Sequence, residues 1–224
     1  MSTLLRRTLA ELVGTAFLVM AVIGSGIMAT RLSPGEVGLQ LLQNSIATGA
    51  VLAALILALQ PVSASFNPVV TLVEAALGRL PAGDIPVLVA GQMVGGVVGA
   101  MLANLMFDLP AVSIATTDRV GAHLWLGEVV ATLGLVMVVF GALRSGRIET
   151  VALGVGGYIA AAYWFTSSTS FANPAVTFAR TLSDTFAGID PESAAMFMLM
   201  QVLGGALALG LVRVLYPAPG KVDQ

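Results

Sequence analysis

Charged side chains punctuate this chain so sparsely that they divide it into six uncharged windows. Leu12 to Thr30 gives 19 residues, Val37 to Val73 gives 37, and Ile85 to Phe107 gives 23. Val129 to Leu143 gives 15, Thr150 to Ala179 gives 30, and Ser193 to Val212 gives 20. A helix needs about 20 apolar residues to cross the hydrocarbon of a bilayer. Four windows therefore predict one span each, the short one extending upstream through Ala122 to Gly127. The 37- and 30-residue windows are too long for one span and too short for two with a loop.

Both long windows carry an Asn-Pro pair in their second half, in Ser63-Ala64-Ser65-Phe66-Asn67-Pro68-Val69 and Ser168-Thr169-Ser170-Phe171-Ala172-Asn173-Pro174-Ala175-Val176. In a soluble protein such a pair starts a turn. At membrane depth, non-helical backbone is tolerated only where protein buries it or where it lines a wet cavity. Proline suits the first helical position and asparagine the cap before it. The pattern thus predicts a span followed by a re-entrant half-helix in each window: Pro68 to Leu77 capped by Asn67, and Pro174 to Leu182 capped by Asn173.

Composition narrows the classes. The chain is 57% hydrophobic and 10% charged, against roughly 25% charged for a soluble domain, so lipid must solvate most of its surface. A net charge of -2 gives no basic patch for nucleic acid. With no cysteine, thiolate metal sites and thiol nucleophiles are excluded. His123 is the only histidine and Lys221, in the polar Ala218 to Gln224 tail, the only lysine. No enzyme, cofactor or metal is expected, since an intramembrane serine would lack its base. Arg6-Arg7 before an apolar run looks like a secretory signal, but that run joins a repeat and is read as the first span.

Glu11-Leu-Val-Gly-Thr15 matches Glu128-Val-Val-Ala-Thr132, Asn67 matches Asn173, and Gln92-x-x-Gly95 matches Gln201-x-x-Gly204. The expectation is a single channel domain over residues 1–224, with one repeat at about 8–107 and the other at about 122–216. Three spans per half force the second half to insert upside down, and inverted repeats place their functional elements near the midplane. With the N-terminus cytoplasmic, Arg6, Arg7, Arg79, Arg144, Arg147, Arg213 and Lys221 lie inside and Arg31, Arg119 and Arg180 outside. That bias puts both termini in the cytoplasm.

From Glu11 to about Leu215, these landmarks resemble the aquaporin and aquaglyceroporin (major intrinsic protein) family. The resemblance implies an all-α fold of six transmembrane helices plus two re-entrant half-helices, four protomers per tetramer, and a pore in each for small neutral solutes such as water or glycerol. It also implies that Glu11 and Glu128 accept hydrogen bonds from the re-entrant loops. Asn67-Pro68-Val69 and Asn173-Pro174-Ala175 are the pore motifs, and both loops run one residue shorter than is usual. The constriction maps to Thr48, Ala162 (or Ala161), Phe171 and Val176. The family usually has arginine where Val176 stands. Valine there resembles a bacterial, inner-membrane branch associated with arsenic resistance, which implies passage of arsenous acid. The alternative is a water channel or glycerol facilitator with no arsenic role.

Without that arginine the constriction is expected to be wide and apolar, leaving cation rejection to the half-helix dipoles at the midplane. Arg180 is read as an interface anchor, with the alternative that, one turn beyond Val176, it reaches the outer vestibule and attracts anions. His123 is read as an interfacial residue, and Gly91, Gly95 and Gly99 as close helix contacts. An ion-coupled transporter would carry acids along its pathway; only Glu11 and Glu128 qualify, and the repeat explains both.

Overall fold

A computed structural model describes residues 1–216; the Ala218 to Gln224 tail, with Lys221, lies outside them. Eight α-helices follow in order: α1 (Thr3–Leu32), α2 (Val37–Leu59), α3 (Pro68–Ala76), α4 (Ile85–Met106), α5 (Ala122–Ala142), α6 (Ile148–Phe165), α7 (Pro174–Arg180) and α8 (Pro191–Leu215). All but α3 and α7 are long and apolar enough to cross a membrane. No strand occurs among the described residues. The fold is thus the all-helical one expected, six spans with two short helices between them.

Local chemistry sets the helix ends. Asn67 and Asn173 hold extended backbone, and each side-chain Oδ1 accepts from N–H groups of the first turn while proline fills the first helical position. Helix α3 stops at Ala76, one residue short of the expected Leu77, and Gly78 at φ +73° turns the chain away. Helix α7 stops at Arg180 rather than Leu182. The carbonyls of Thr181 and Leu182 instead accept from Ala115 and Ser113 of the α4–α5 loop. That loop is thereby drawn over the end of α7, a tertiary contact that helix periodicity could not announce.

Equivalent helices pack in equivalent pairs, α1 on α4 and α5 on α8, with α2 crossing α6 between the halves. Glycine sets the approach. A methyl added at Gly95 or Gly99 would strike the carbonyl oxygens of Leu12 and Ala16 on α1, and one at Gly204 would strike that of Val129 on α5. Gly49 of α2 and Gly156 of α6 face each other's carbonyls in the same way. In lipid, where apolar burial drives little association, such close backbone contact supplies the packing energy.

Candidate functional site: a central passage

Two carboxylates, both fully buried, hold the re-entrant loops. Glu11 Oε1 accepts from the Ser63 hydroxyl at 2.6 Å and the Ser65 N–H at 2.9 Å. Its Oε2 accepts from the Phe66 N–H at 2.6 Å and from Gln92 Nε2 at 2.8 Å. In the other half Glu128 accepts from the N–H groups of Phe171 at 3.0 Å and Ala172 at 2.9 Å, and from Gln201 Nε2 at 2.5 Å. Each glutamine also donates to a half-helix threonine, Gln92 to Thr71 at 2.9 Å and Gln201 to Thr177 at 2.8 Å. A buried charge is tolerable only when donors replace its lost water. Here those donors are the loop backbone, so burial of the acid and shape of the loop depend on one another. The loops need that support: Phe66, Thr169, Ser170 and Ala172 all take positive φ, a region costly for residues with side chains.

The half-helices meet tip to tip through their caps. Asn67 Nδ2 donates to the Ala172 carbonyl at 2.7 Å, and Asn173 Nδ2 donates to the Phe66 carbonyl at 2.7 Å. Each amide therefore caps its own helix with its oxygen and grips the opposite loop with its nitrogen. Both asparagines line one cavity of about 70 Å³ that runs between the spans. Much of the remaining wall is aliphatic, with Leu18 and Val22 of α1 matched by Leu135 and Val139 of α5. Val70 and Val176 take the same register, three residues after each asparagine.

The expected constriction residues are divided by the structure. Thr48, Phe171 and Val176 line the cavity. Ala161 does not: it faces outward and is exposed. Ala162 is buried but stands off the cavity wall. Tyr163 is the α6 residue that reaches it, its hydroxyl 3.2 Å from that of Thr48. One helical residue turns a side chain by about 100°, so a register error of one or two moves it off the passage. The α6 residues on the wall, Val151, Val155, Ile159 and Tyr163, recur every four positions. That spacing was readable and pointed to Tyr163.

Arg180 takes the second of its two expected places. It is 3% exposed, lines the cavity, and lays its guanidinium 3.4 Å from the centre of the Phe171 ring while Nε donates to the Ala187 carbonyl. It is therefore no interface anchor, and the passage does contain an arginine, one turn beyond Val176. Arg119, from the α4–α5 loop, approaches the same ring at 5.1 Å and donates to the Gly188 carbonyl at 3.3 Å. Burial lowers the Arg119 pKa from the ordinary arginine value, with Glu128 and Tyr163 partly opposing it. His123 is exposed at the start of α5.

The buried acids serve the loops, and the passage they frame offers amide and guanidinium donors on an aliphatic wall, as a membrane channel for polar solutes requires. The chain belongs to the major intrinsic protein family, whose model matches it at residues 1–148 and again at 142–224, and it is thus a multi-pass membrane channel rather than an enzyme. It is 48% identical to the aquaglyceroporin AqpS of Rhizobium meliloti (strain 1021) over 99% of this chain and 95% of that one. It is 30% identical to aquaporin Z of Rhodopseudomonas palustris over 96% of this chain and 95% of the relative. Its fold matches the X-ray structure of the aquaglyceroporin from Plasmodium falciparum with a TM-score of 0.76 at 16% identity, covering 96% of this chain and 98% of that one.

Proposed function

We propose that the protein is a passive channel for small uncharged solutes of glycerol size, arsenous acid among them, and that Thr48, Tyr163, Phe171, Val176 and Arg180 form its selectivity filter. The observation that carries the reading is Val176 on the wall of the cavity that Thr48 also lines. A branched aliphatic side chain there leaves room that an arginine at the same position would fill. The extended similarity to an aquaglyceroporin supports the same solute size. Arsenous acid is a neutral trihydroxy solute, so it offers donors and acceptors much as glycerol does.

The mechanism is exchange of hydration for fixed donors. A solute oxygen loses water on entering the aliphatic passage and regains hydrogen bonds from the free N–H of each asparagine amide at the centre. The aliphatic wall opposite holds nothing, so the solute moves on. The N-terminal ends of α3 and α7 face that centre with a partial positive charge, which raises the barrier for protons and cations. Arg180 adds a full positive charge at one mouth, so cation rejection does not rest on the helix ends alone. Both termini are assigned to the cytoplasmic side of the inner membrane on the arginine bias, and four protomers are expected to assemble, each with its own passage.

Light scattering of vesicles containing the purified protein, challenged in parallel with water, glycerol and arsenous acid, tests this. Glycerol and arsenous acid should both equilibrate through the protein, and Val176→Arg should slow both while sparing water. Fast water flux with no glycerol or arsenous acid flux would reduce the protein to a water channel. Unchanged fluxes in Val176→Arg would overturn the filter assignment.

A further inference from the structure

On the face where α3, α5 and α8 end, Arg79, Arg144 and Arg213 line a single cavity of about 530 Å³ with Tyr216. Two of these arginines are held in place. Arg213 Nη2 donates to the Ala76 carbonyl at 2.8 Å, and Arg144 Nη1 to the Phe140 carbonyl at 2.5 Å with its guanidinium 4.1 Å from the Tyr216 ring. Each still has donors unspent, since a guanidinium carries five N–H bonds. None of the three pairs with a carboxylate: the one ion pair among the described residues joins Arg7 to Asp84. Three positive charges therefore face one hollow whose lining, among the described residues, includes no carboxylate.

A second feature adjoins it. Ala76 lines both this cavity and an apolar trough of about 170 Å³ between α3 and α8, walled by Leu72, Val73, Val202 and Leu209 and floored by Gly205. The trough lies on the outward side, where Leu72 and Val202 are exposed. A basic hollow level with the helix ends, opening into an aliphatic trough at membrane depth, has the shape and polarity of one amphiphile. We propose that this site binds an anionic phospholipid, its phosphodiester among Arg79, Arg144 and Arg213 and one acyl chain along the α3–α8 trough. Arginine clusters at the cytoplasmic ends of membrane helices attract anionic headgroups in general. Free phosphate would use the hollow but gain nothing from the trough, and a phosphocholine would bring its own cation against the arginines. The lipid would rest on α3, the half-helix whose tip is Asn67, and this assignment is independent of which solute the channel passes.

The test is native mass spectrometry of the purified full-length protein released from detergent, with phosphatidylglycerol, phosphatidylcholine or inorganic phosphate added. The protein should retain phosphatidylglycerol over phosphatidylcholine. Arg79→Gln should weaken that retention about fivefold, and Arg79→Lys should keep it; the Arg79 side chain makes no hydrogen bond within the described residues, so neither change should disturb folding. Ala206→Phe, which fills the trough, should weaken phosphatidylglycerol as well. Equal retention of the two lipids, or Arg79→Gln without effect, would overturn the site. Displacement of phosphatidylglycerol by inorganic phosphate would make it a soluble-anion site and overturn the lipid assignment.

Discussion

The two half-helix units share a frame and differ at their outer ends. Around Asn67, Glu11 gathers the loop N–H groups of Ser65 and Phe66 and the amide of Gln92; around Asn173, Glu128 gathers those of Phe171 and Ala172 and the amide of Gln201. Seven residues beyond each asparagine the likeness ends. Glu74 stands near one mouth, accepting from the Ser65 hydroxyl at 3.2 Å, and Arg180 stands at the other, stacked on Phe171. Support is duplicated, while the charge presented to an entering solute is not. The repeat therefore marks what holds the passage open, and its breaks mark what the passage discriminates.

The comparison breaks most sharply at the acids. Glu11→Ala and Glu128→Ala should each cost about 3 kcal/mol or prevent folding, because several buried donors lose their acceptor at once. Thermal unfolding in detergent checks this, and a large loss at one acid with none at the other would end the equivalence. At the helix crossings, Gly95→Ala and Gly204→Ala should each cost about 2 kcal/mol, since the added methyl meets backbone rather than a movable side chain. Asn67→Ala and Asn173→Ala should cost about 1 kcal/mol each as caps. Asn173→Ala should cost the more, because its Oδ1 accepts from both Ala175 and Val176 where that of Asn67 accepts from Val69 alone. Each should also slow solute flux in stopped-flow assays. The change most informative on selectivity is at the mouths: Arg180→Gln should raise cation leak through vesicles, and Glu74→Gln should not. A leak from both would mean that the two ends are not distinct in function.

Much of this was legible in the chain. Window lengths gave the spans, because a bilayer fixes how many residues cross it, and the paired Asn-Pro motifs gave the half-helices, because proline and asparagine each suit one position at a helix start. The repeat showed that Glu11 and Glu128 are equivalent, while their bonding to the loops came from the family resemblance. What escaped was side-chain direction. Tyr163 and Ala161 are two residues apart yet point to opposite environments, and a motif anchored on Asn173 carries no register for α6. For Arg180 the sequence left two places open, because a long side chain can return toward the bundle from a helix end, and the Ala187 carbonyl that receives it arrives only when the loop after α7 folds back. The α4–α5 loop, which brings Arg119, carried no periodic pattern at all.

The crossed grip of the two asparagines has a developmental consequence. The nitrogen of each amide finds its partner only in the loop contributed by the other half of the chain. While the first half emerges alone, the Phe66 carbonyl and the Asn67 amide have no mates, and water must satisfy them. The centre is therefore the last part of the molecule that can become fixed, and a truncated chain should leave behind an unsealed half rather than a smaller conduit.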